Sequence, residues 1–189
     1  MISPSAMLEV YRQGAFPMGD PGNGEIYLLH PDPRTVIPLG GFHVTKTLAA
    51  KIRARRFPVT FDQAFSGVVS ACADRSKTWI VPELKDAYLE LHRRGSAHSV
   101  EAWKEGQLAG GVYGLSIGAA FMGESMFHHF TDAGMFALSA LVERLREKGF
   151  ELFDVQFLTG HLKRCGAVEI PRGEYLRRLA AALKKPCVW

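Results

Sequence analysis

Residues 115–156 read LSIGAAFMGESMFHHFTDAGMFALSALVERLREKGFELFDVQ. Leu115 to Ile117 close an apolar strand, and Gly118 permits a tight turn. Phe121 to Phe127 start a second strand, apolar except for Glu124 and Ser125. Thr131 or Asp132 is placed to cap a helix. Its apolar positions Phe136, Leu138, Leu141, Val142 and Leu145 recur at helical spacing. Gly149 ends that helix, and Phe150 to Val155 extend as another strand. Asp154 and Gln156 then stand two residues apart, on one face of the strand end. A carboxylate beside an amide there either orients a reacting amine or caps a loop.

Working outward, Ala97 to Lys104 alternate as a strand, Glu105 and Gly106 turn, and Leu108 to Ile117 return antiparallel. Gly110, Gly111 and Gly114 inside that return strand mark a bulge or a close backbone approach. Downstream, TGHLKRCGA at 159–167 reads as a short helix and Val168 to Ile170 as a strand. Pro171 opens a last helix with Tyr175, Leu176 and Leu179 inward. Near the start, residues 4–13 read as a helix, GAFPMGDPGNG as a turn region, and Ile26 to Leu29 and Arg34 to Pro38 as short strands. Thr45 caps a helix reaching about Arg56, and Phe57 to Thr60 form a strand. Asp62 caps a helix that buries Phe65, Val68, Val69 and Cys72. Trp79 is either a core anchor or a lid aromatic that stacks on a ligand. Pro82 opens a helix carrying Leu84, Ala87, Tyr88 and Leu91.

A strand meander followed by helix, strand and helix is an α+β layered pattern. It is compatible with an acetyltransferase-like (GNAT-like) fold with a mixed, mainly antiparallel sheet. The segment HHFTDAG before the long helix lacks the closely spaced glycines and basic residues that cradle an acyl carrier, so coenzyme A is poorly supported.

Composition narrows the class. The chain has 189 residues, 47% hydrophobic and 22% charged, which excludes intrinsic disorder. Its net charge of +4 permits a polyanionic partner without requiring one. Lys46, Lys51, Arg53, Arg55 and Arg56 fall in one stretch with no acidic residue among them. That run is either a solvated helix face or a contact for a phosphate backbone. Cys72, Cys165 and Cys187 form no close pair and no metal spacing. His128 and His129 are adjacent and point apart on a strand, which disfavours a shared metal. With no secretory or membrane-spanning apolar run, a cytoplasmic location is expected.

Several segments together carry a family resemblance: YRQGAFPM (11–18), HPDPR (30–34), TWI (78–80), GGVYG (110–114), FMGESMF (121–127) and FDVQFLTGHLKRCGAVEIPR (153–172). In order and spacing the chain resembles the leucyl/phenylalanyl-tRNA–protein transferases. The resemblance implies a small N-terminal α/β domain, placed at 1–61, and a C-terminal acetyltransferase-like aminoacyl-transfer domain, placed at 62–189. It implies transfer of leucine or phenylalanine from aminoacyl-tRNA to an N-terminal arginine or lysine of a protein, which marks that protein for N-degron proteolysis. No metal or organic cofactor and no membrane is implied, and a monomer is expected.

The family's catalytic pair falls on Asp154 and Gln156. Asp154 is expected to orient Gln156 through a hydrogen bond, or to take the amine proton itself, while the Gln156 carbonyl attracts the attacking amine. Glu124 and Ser125 belong to the family's GES element and are expected at the substrate. Met126, Phe121 and Val112 are expected to line the donor side-chain pocket, with ordinary core as the alternative. Trp79 matches a family tryptophan near the donor adenosine. Lys46, Lys51, Arg53, Arg55 and Arg56 are expected to contact tRNA. Leu28, Leu29 and His30 stand where the family usually has paired tryptophans and a serine, and Gly134 and Met135 where it has a serine–lysine pair.

Overall fold

Caps and breakers set the element order. The computed structural model describes residues 3–189. Helix α1 (Pro4–Arg12) starts at Ser3, whose hydroxyl accepts from Ala6 N at 3.1 Å, with proline in its first turn. Strands β1 (Phe16–Gly19) and β2 (Ile26–Leu29) pair antiparallel. The glycine- and proline-rich stretch is therefore only partly a turn, because a strand with a free edge tolerates Pro17. Next come β3 (Arg34–Val36) and a 3₁₀ turn at Leu39–Gly41. Helix α2 (Lys46–Arg53) follows, and Thr45 caps it by accepting from Leu48 N.

Strand β4 (Val59–Phe61) leads to α3 (Phe65–Ala73). Here the expected cap fails. The α3 cap position is Ala64, with no side-chain hydrogen bond. Asp62 instead adopts a φ of 58° and accepts from Ser99 N at 2.8 Å and His98 at 2.9 Å. Two ready partners on the neighbouring strand outcompete the helix terminus.

The chain continues through α4 (Pro82–Arg93), β5 (Ala97–Lys104), β6 (Gln107–Ile117) and β7 (Ala120–His128). Then follow α5 (Ala133–Lys148), β8 (Leu152–Gln156), α6 (Gly160–Lys163), β9 (Val168–Ile170) and α7 (Arg172–Leu183). Asp132 precedes α5 in a left-handed conformation without capping it, and its carboxylate pairs with Lys51 Nζ at 2.6 Å.

Among the described residues the strands form the β1–β2 hairpin and a seven-stranded sheet in the order β4-β5-β6-β7-β8-β3-β9. Every neighbouring pair is antiparallel except β7 and β8, which run parallel. The fold is mixed α+β, with a helix-and-strand region at the N-terminal end and a mixed sheet beyond it. The sheet draws β3 and β4 from residues before 62, so it crosses the expected division of the chain.

Both faces of the sheet are covered. Helix α5 packs on one face, with Leu48 of α2 in the same cluster. Helices α1, α3, α4 and α7 supply apolar side chains to the cluster on the other face. This explains the nearly continuous apolar reading of β6 and β7: alternate residues point to opposite faces, and both are dry. Thus Phe121 joins the α5 side and Met122 the other. Phe136, Leu138, Leu141, Val142 and Leu145 are all buried, and each full burial contributes roughly 1.5–3 kcal/mol. Phe121 lies opposite Phe153 across the parallel pair, in one sheet beneath α5.

Two β6 glycines permit this packing. A Cβ on Gly110 would lie 2.6 Å from Gly134 N, so the first turn of α5 rests on bare backbone. A Cβ on Gly114 would collide with the Met122 carbonyl oxygen. Backbone cannot swing aside as a flexible side chain does. Gly114→Ala is therefore expected to lower the unfolding free energy by about 1–3 kcal/mol in urea titrations. An unchanged midpoint would contradict the close approach of β6 and β7.

Candidate active site

The site opens where β7 and β8 cease to pair. Their ladder runs from Ala120↔Leu152 to Met122↔Asp154 and stops. On the β6 side, Tyr113 faces Ser125 and Gly114 faces Gly123, so Glu124 is an extra residue without a partner. This is a β-bulge, which re-aims the side chain it carries. At the end of β8, Gln156 adopts a φ of 57°, uncommon for a residue with a side chain. A cavity of about 940 Å³ lies here. Glu124, Ser125 and Met126 line it from β7, Gln156 and Phe157 from the end of β8, and Trp79 from the loop before α4.

Asp154 lies beneath the cavity, fully buried, and is held on all sides. Arg34 of β3 donates from Nε to Oδ1 at 2.9 Å and from Nη2 to Oδ2 at 2.6 Å. The Tyr175 hydroxyl donates to Oδ2 at 3.0 Å, and the main-chain N–H of Gln156 donates to Oδ1 at 3.0 Å. A carboxylate has about four lone-pair sites, and four donors occupy them. The Arg34 guanidinium is also fully buried, between the rings of Phe16 and Tyr175, each centred 4.6 Å away. Burial pushes Arg34 down, but the hydrogen bonds and charge of Asp154 outweigh it and hold the guanidinium above its ordinary range. The hydrogen bond between Asp154 and Gln156 thus runs through the Gln156 backbone, at its left-handed turn.

Glu124 has a different environment. Its Oε2 accepts from the Tyr88 hydroxyl at 2.7 Å, and its Oε1 accepts from Gln156 Nε2 at 3.2 Å. Tyr11 meets Tyr88 at 3.1 Å. Burial pushes the Glu124 carboxyl up to about 7; hydrogen bonds from Tyr88 and Tyr11 pull it down, and the Asp154 charge adds to the rise. Burial also raises Tyr11, Tyr88 and Tyr113 well above the usual phenol range, with the Glu124 charge contributing. A carboxylate only accepts, so the Gln156 amide nitrogen faces it. The amide oxygen is then turned away from Glu124 as a hydrogen-bond acceptor.

The expected site residues divide into two sets. Glu124, Ser125, Met126, Trp79 and Gln156 line the cavity. Phe121 instead packs against Phe150, Phe153 and Trp189, and it is 1% exposed. Val112 is buried opposite Met126 on the neighbouring strand. Neither is among the residues lining the cavity. Lys46, Arg53, Arg55 and Arg56 are exposed on or just after α2, and Lys51 reaches the cavity-lining Asp132. Met135 also lines the cavity and meets His161. Leu28 is exposed on β2.

Sequence reading missed Arg34, Tyr175, Tyr88 and Tyr11. A signal for Arg34 was present: an arginine among apolar neighbours in a short strand needs a buried counter-charge. Its partner lies 120 residues away. Among the described residues no group of three or more His, Cys, Asp or Glu is placed to hold a metal, and no helix is long and apolar enough to cross a membrane.

The Glu124 environment leaves a mark on stability. A carboxyl raised by folding binds its proton more tightly in the folded state. Its contribution is fully present below about pH 4.5 and is lost as pH rises through about 7. Glu124→Gln keeps the shape but cannot ionise. Between those pH values, wild-type stability is expected to fall relative to this variant by something on the order of 3 kcal/mol in urea titrations. Parallel curves would show that Glu124 titrates as in the unfolded chain.

A family model and individual relatives point to the same family. A family model described as leucyl/phenylalanyl-tRNA protein transferase matches residues 36–180. The leucyl/phenylalanyl-tRNA–protein transferase of Ruegeria pomeroyi is 51% identical over 183 residues, covering 96% of this chain and 87% of that one. That of Rubrobacter xylanophilus is 52% identical over 184 residues, covering 97% and 96%. That of Salinibacter ruber is 46% identical over 188 residues, covering 100% and 83%. With the family model spanning most of the chain and relatives this similar along nearly its whole length, the chain belongs to the leucyl/phenylalanyl-tRNA–protein transferase family.

Proposed function

We propose that this protein transfers leucine or phenylalanine from charged tRNA to the N-terminal arginine or lysine of proteins, marking them for N-degron proteolysis. The observation that carries the reading is the Gln156–Glu124 hydrogen bond at the cavity, beside a fully occupied Asp154. An aminoacyl ester is already activated, so the reaction needs no ATP, no cofactor and no covalent enzyme nucleophile. It needs an amine aligned with the ester carbonyl and support for the charge that develops.

In this reading Asp154 and Gln156 act as a unit. Asp154 holds the Gln156 backbone, and Glu124 orients its side chain. The amide oxygen then accepts a hydrogen bond from the acceptor α-amine and turns its lone pair toward the ester. Met126 and Phe157 supply apolar surface for the donor side chain, and Trp79 stacks on the terminal adenosine. The α2 run of Lys46, Lys51, Arg53, Arg55 and Arg56 receives tRNA phosphates, and the Lys51–Asp132 pair puts that helix at the cavity rim.

The parallel β7–β8 pair that parts above Asp154 supports a GNAT-like description of the sheet. Residues 1–61 and 62–189 then divide by role: the first part carries the tRNA-facing helix, the second the transfer site. A cytoplasmic monomer suffices for this chemistry.

A transfer matrix tests the function. Preformed charged tRNAs are set against peptides with varied first residues, and labelled product is measured. Leucyl- and phenylalanyl-tRNA are expected to label peptides starting with arginine or lysine. Labelling from acetyl coenzyme A without tRNA, or from another charged tRNA in preference to these, would overturn the reading.

A further inference from the structure

The transfer must move a proton, and the obvious acceptor is blocked. When an amine attacks an ester, its nitrogen becomes cationic and the leaving ribose oxygen becomes anionic. Asp154 cannot relay between them, because Arg34, Tyr175 and the Gln156 backbone occupy its acceptor positions and it is fully buried. We infer that Glu124 is the catalytic base of the transfer, taking the proton from the attacking nitrogen and returning it to the leaving ribose oxygen. The inference rests on the function proposed above.

Three observations of geometry support it. The bulge re-aims Glu124 where β7 and β8 part, and its side chain lines the cavity. Glu124 accepts from Tyr88 on Oε2, from Gln156 on Oε1 and from Tyr11, which leaves one of its about four lone-pair positions for a proton. The same Gln156 amide that bridges to Glu124 presents its oxygen to the amine, so base and orienting group share one anchor.

Protonation matches the task. The groups facing Glu124 are Tyr88 from α4, Tyr11 from α1, Tyr113 from β6, Asp154 from β8 and Arg34 from β3. Burial dominates them and pushes the carboxyl up to about 7, near the working range of a general base at neutral pH.

The step balances. The acceptor enters as a neutral amine, and its nitrogen forms the C–N bond to the ester carbonyl. Ionised Glu124 takes the extra proton from that nitrogen. The C–O bond to the ribose breaks, the ribose oxygen receives the proton from Glu124, and the carboxylate is regenerated. The products are an amide and a free ribose hydroxyl.

The test is a pH profile of single-turnover transfer from phenylalanyl-tRNA, with donor and acceptor saturating. Two acceptors are compared: an arginine-starting peptide and its α-aminooxy analogue, whose nitrogen stays neutral across the range. The wild-type protein is expected to show an acid limb near pH 7 with both. Glu124→Gln is expected to lose about 100-fold or more in rate and to lose the limb with the aminooxy acceptor. Glu124→Asp is expected to keep the limb at reduced rate, which controls for folding. Affinity for a donor with an amide in place of the ester is expected to stay within about twofold in both variants. A limb that persists in Glu124→Gln, or a flat wild-type profile with the aminooxy acceptor, overturns the inference while leaving the proposed function intact. So does a loss of activity that saturating donor restores. A wild-type protein that transfers nothing from any charged tRNA overturns both.

Discussion

Arg34 and Asp154 meet in the dry interior through two hydrogen bonds, between strands adjacent in the sheet and distant in the chain. Taking both charges out of water is costly, and mutual attraction offsets that cost only when geometry is good and the remaining acceptor positions are filled. Here they are filled, by Tyr175 from α7 and by the Gln156 backbone. The aromatic rings of Phe16 and Tyr175 cover the guanidinium from β1 and α7. Four elements from both ends of the chain, β1, β3, β8 and α7, therefore converge on one ion pair. Removing either charge leaves the other buried and unpaired, a loss of about 3–5 kcal/mol. That makes the pair an organiser of fold and site together.

Around this fixed point the sheet changes from rigid scaffold to open cavity. Below Met122 and Asp154, β7 and β8 share a ladder and are covered on both faces. Above them the bulge at Glu124 and the left-handed Gln156 end the pairing. The two carboxyl groups then sit in different surroundings. Asp154 has a cationic partner and every acceptor position filled. Glu124 has phenols and an amide, no cation in direct contact, and a raised affinity for its proton. The separation resembles other sites where two carboxyl groups are driven apart by environment.

Much of the fold was legible in the sequence because its signals are local. The helical spacing of Phe136 to Leu145, the turn at Gly118 and the stop at Gly149 each have one physical reading. The misses arose where tertiary contacts compete with local preference. Asp62 has capping chemistry, yet Ser99 and His98 claim it; Phe16 to Gly19 sit in a turn-rich stretch, yet they pair with β2. In the site, the spacing of Asp154 and Gln156 sets them side by side, with Asp154 beneath the cavity and Gln156 at its wall. The link through the Gln156 backbone depends on a φ value that residue identity does not announce. Phe121 and Val112 share the apolar character and the sheet face of the cavity-lining Met126, but Phe150, Phe153 and Trp189 enclose Phe121, and Val112 is buried in the same cluster. Arg34, Tyr88, Tyr11 and Tyr175 owe their roles to contacts across the fold, which no spacing rule reaches.

The claim at the centre is that the Arg34 fork, acting through Asp154, holds Gln156 for reaction. Arg34→Lys tests it most directly, because lysine keeps the charge and loses the planar two-point grip. The measurement is the single-turnover rate from phenylalanyl-tRNA to an arginine-starting peptide, with both saturating, in protein confirmed folded by its thermal transition. The expected result is a rate lower by about tenfold or more with charged-tRNA affinity unchanged. A folded Arg34→Lys protein that transfers at the wild-type rate would contradict it.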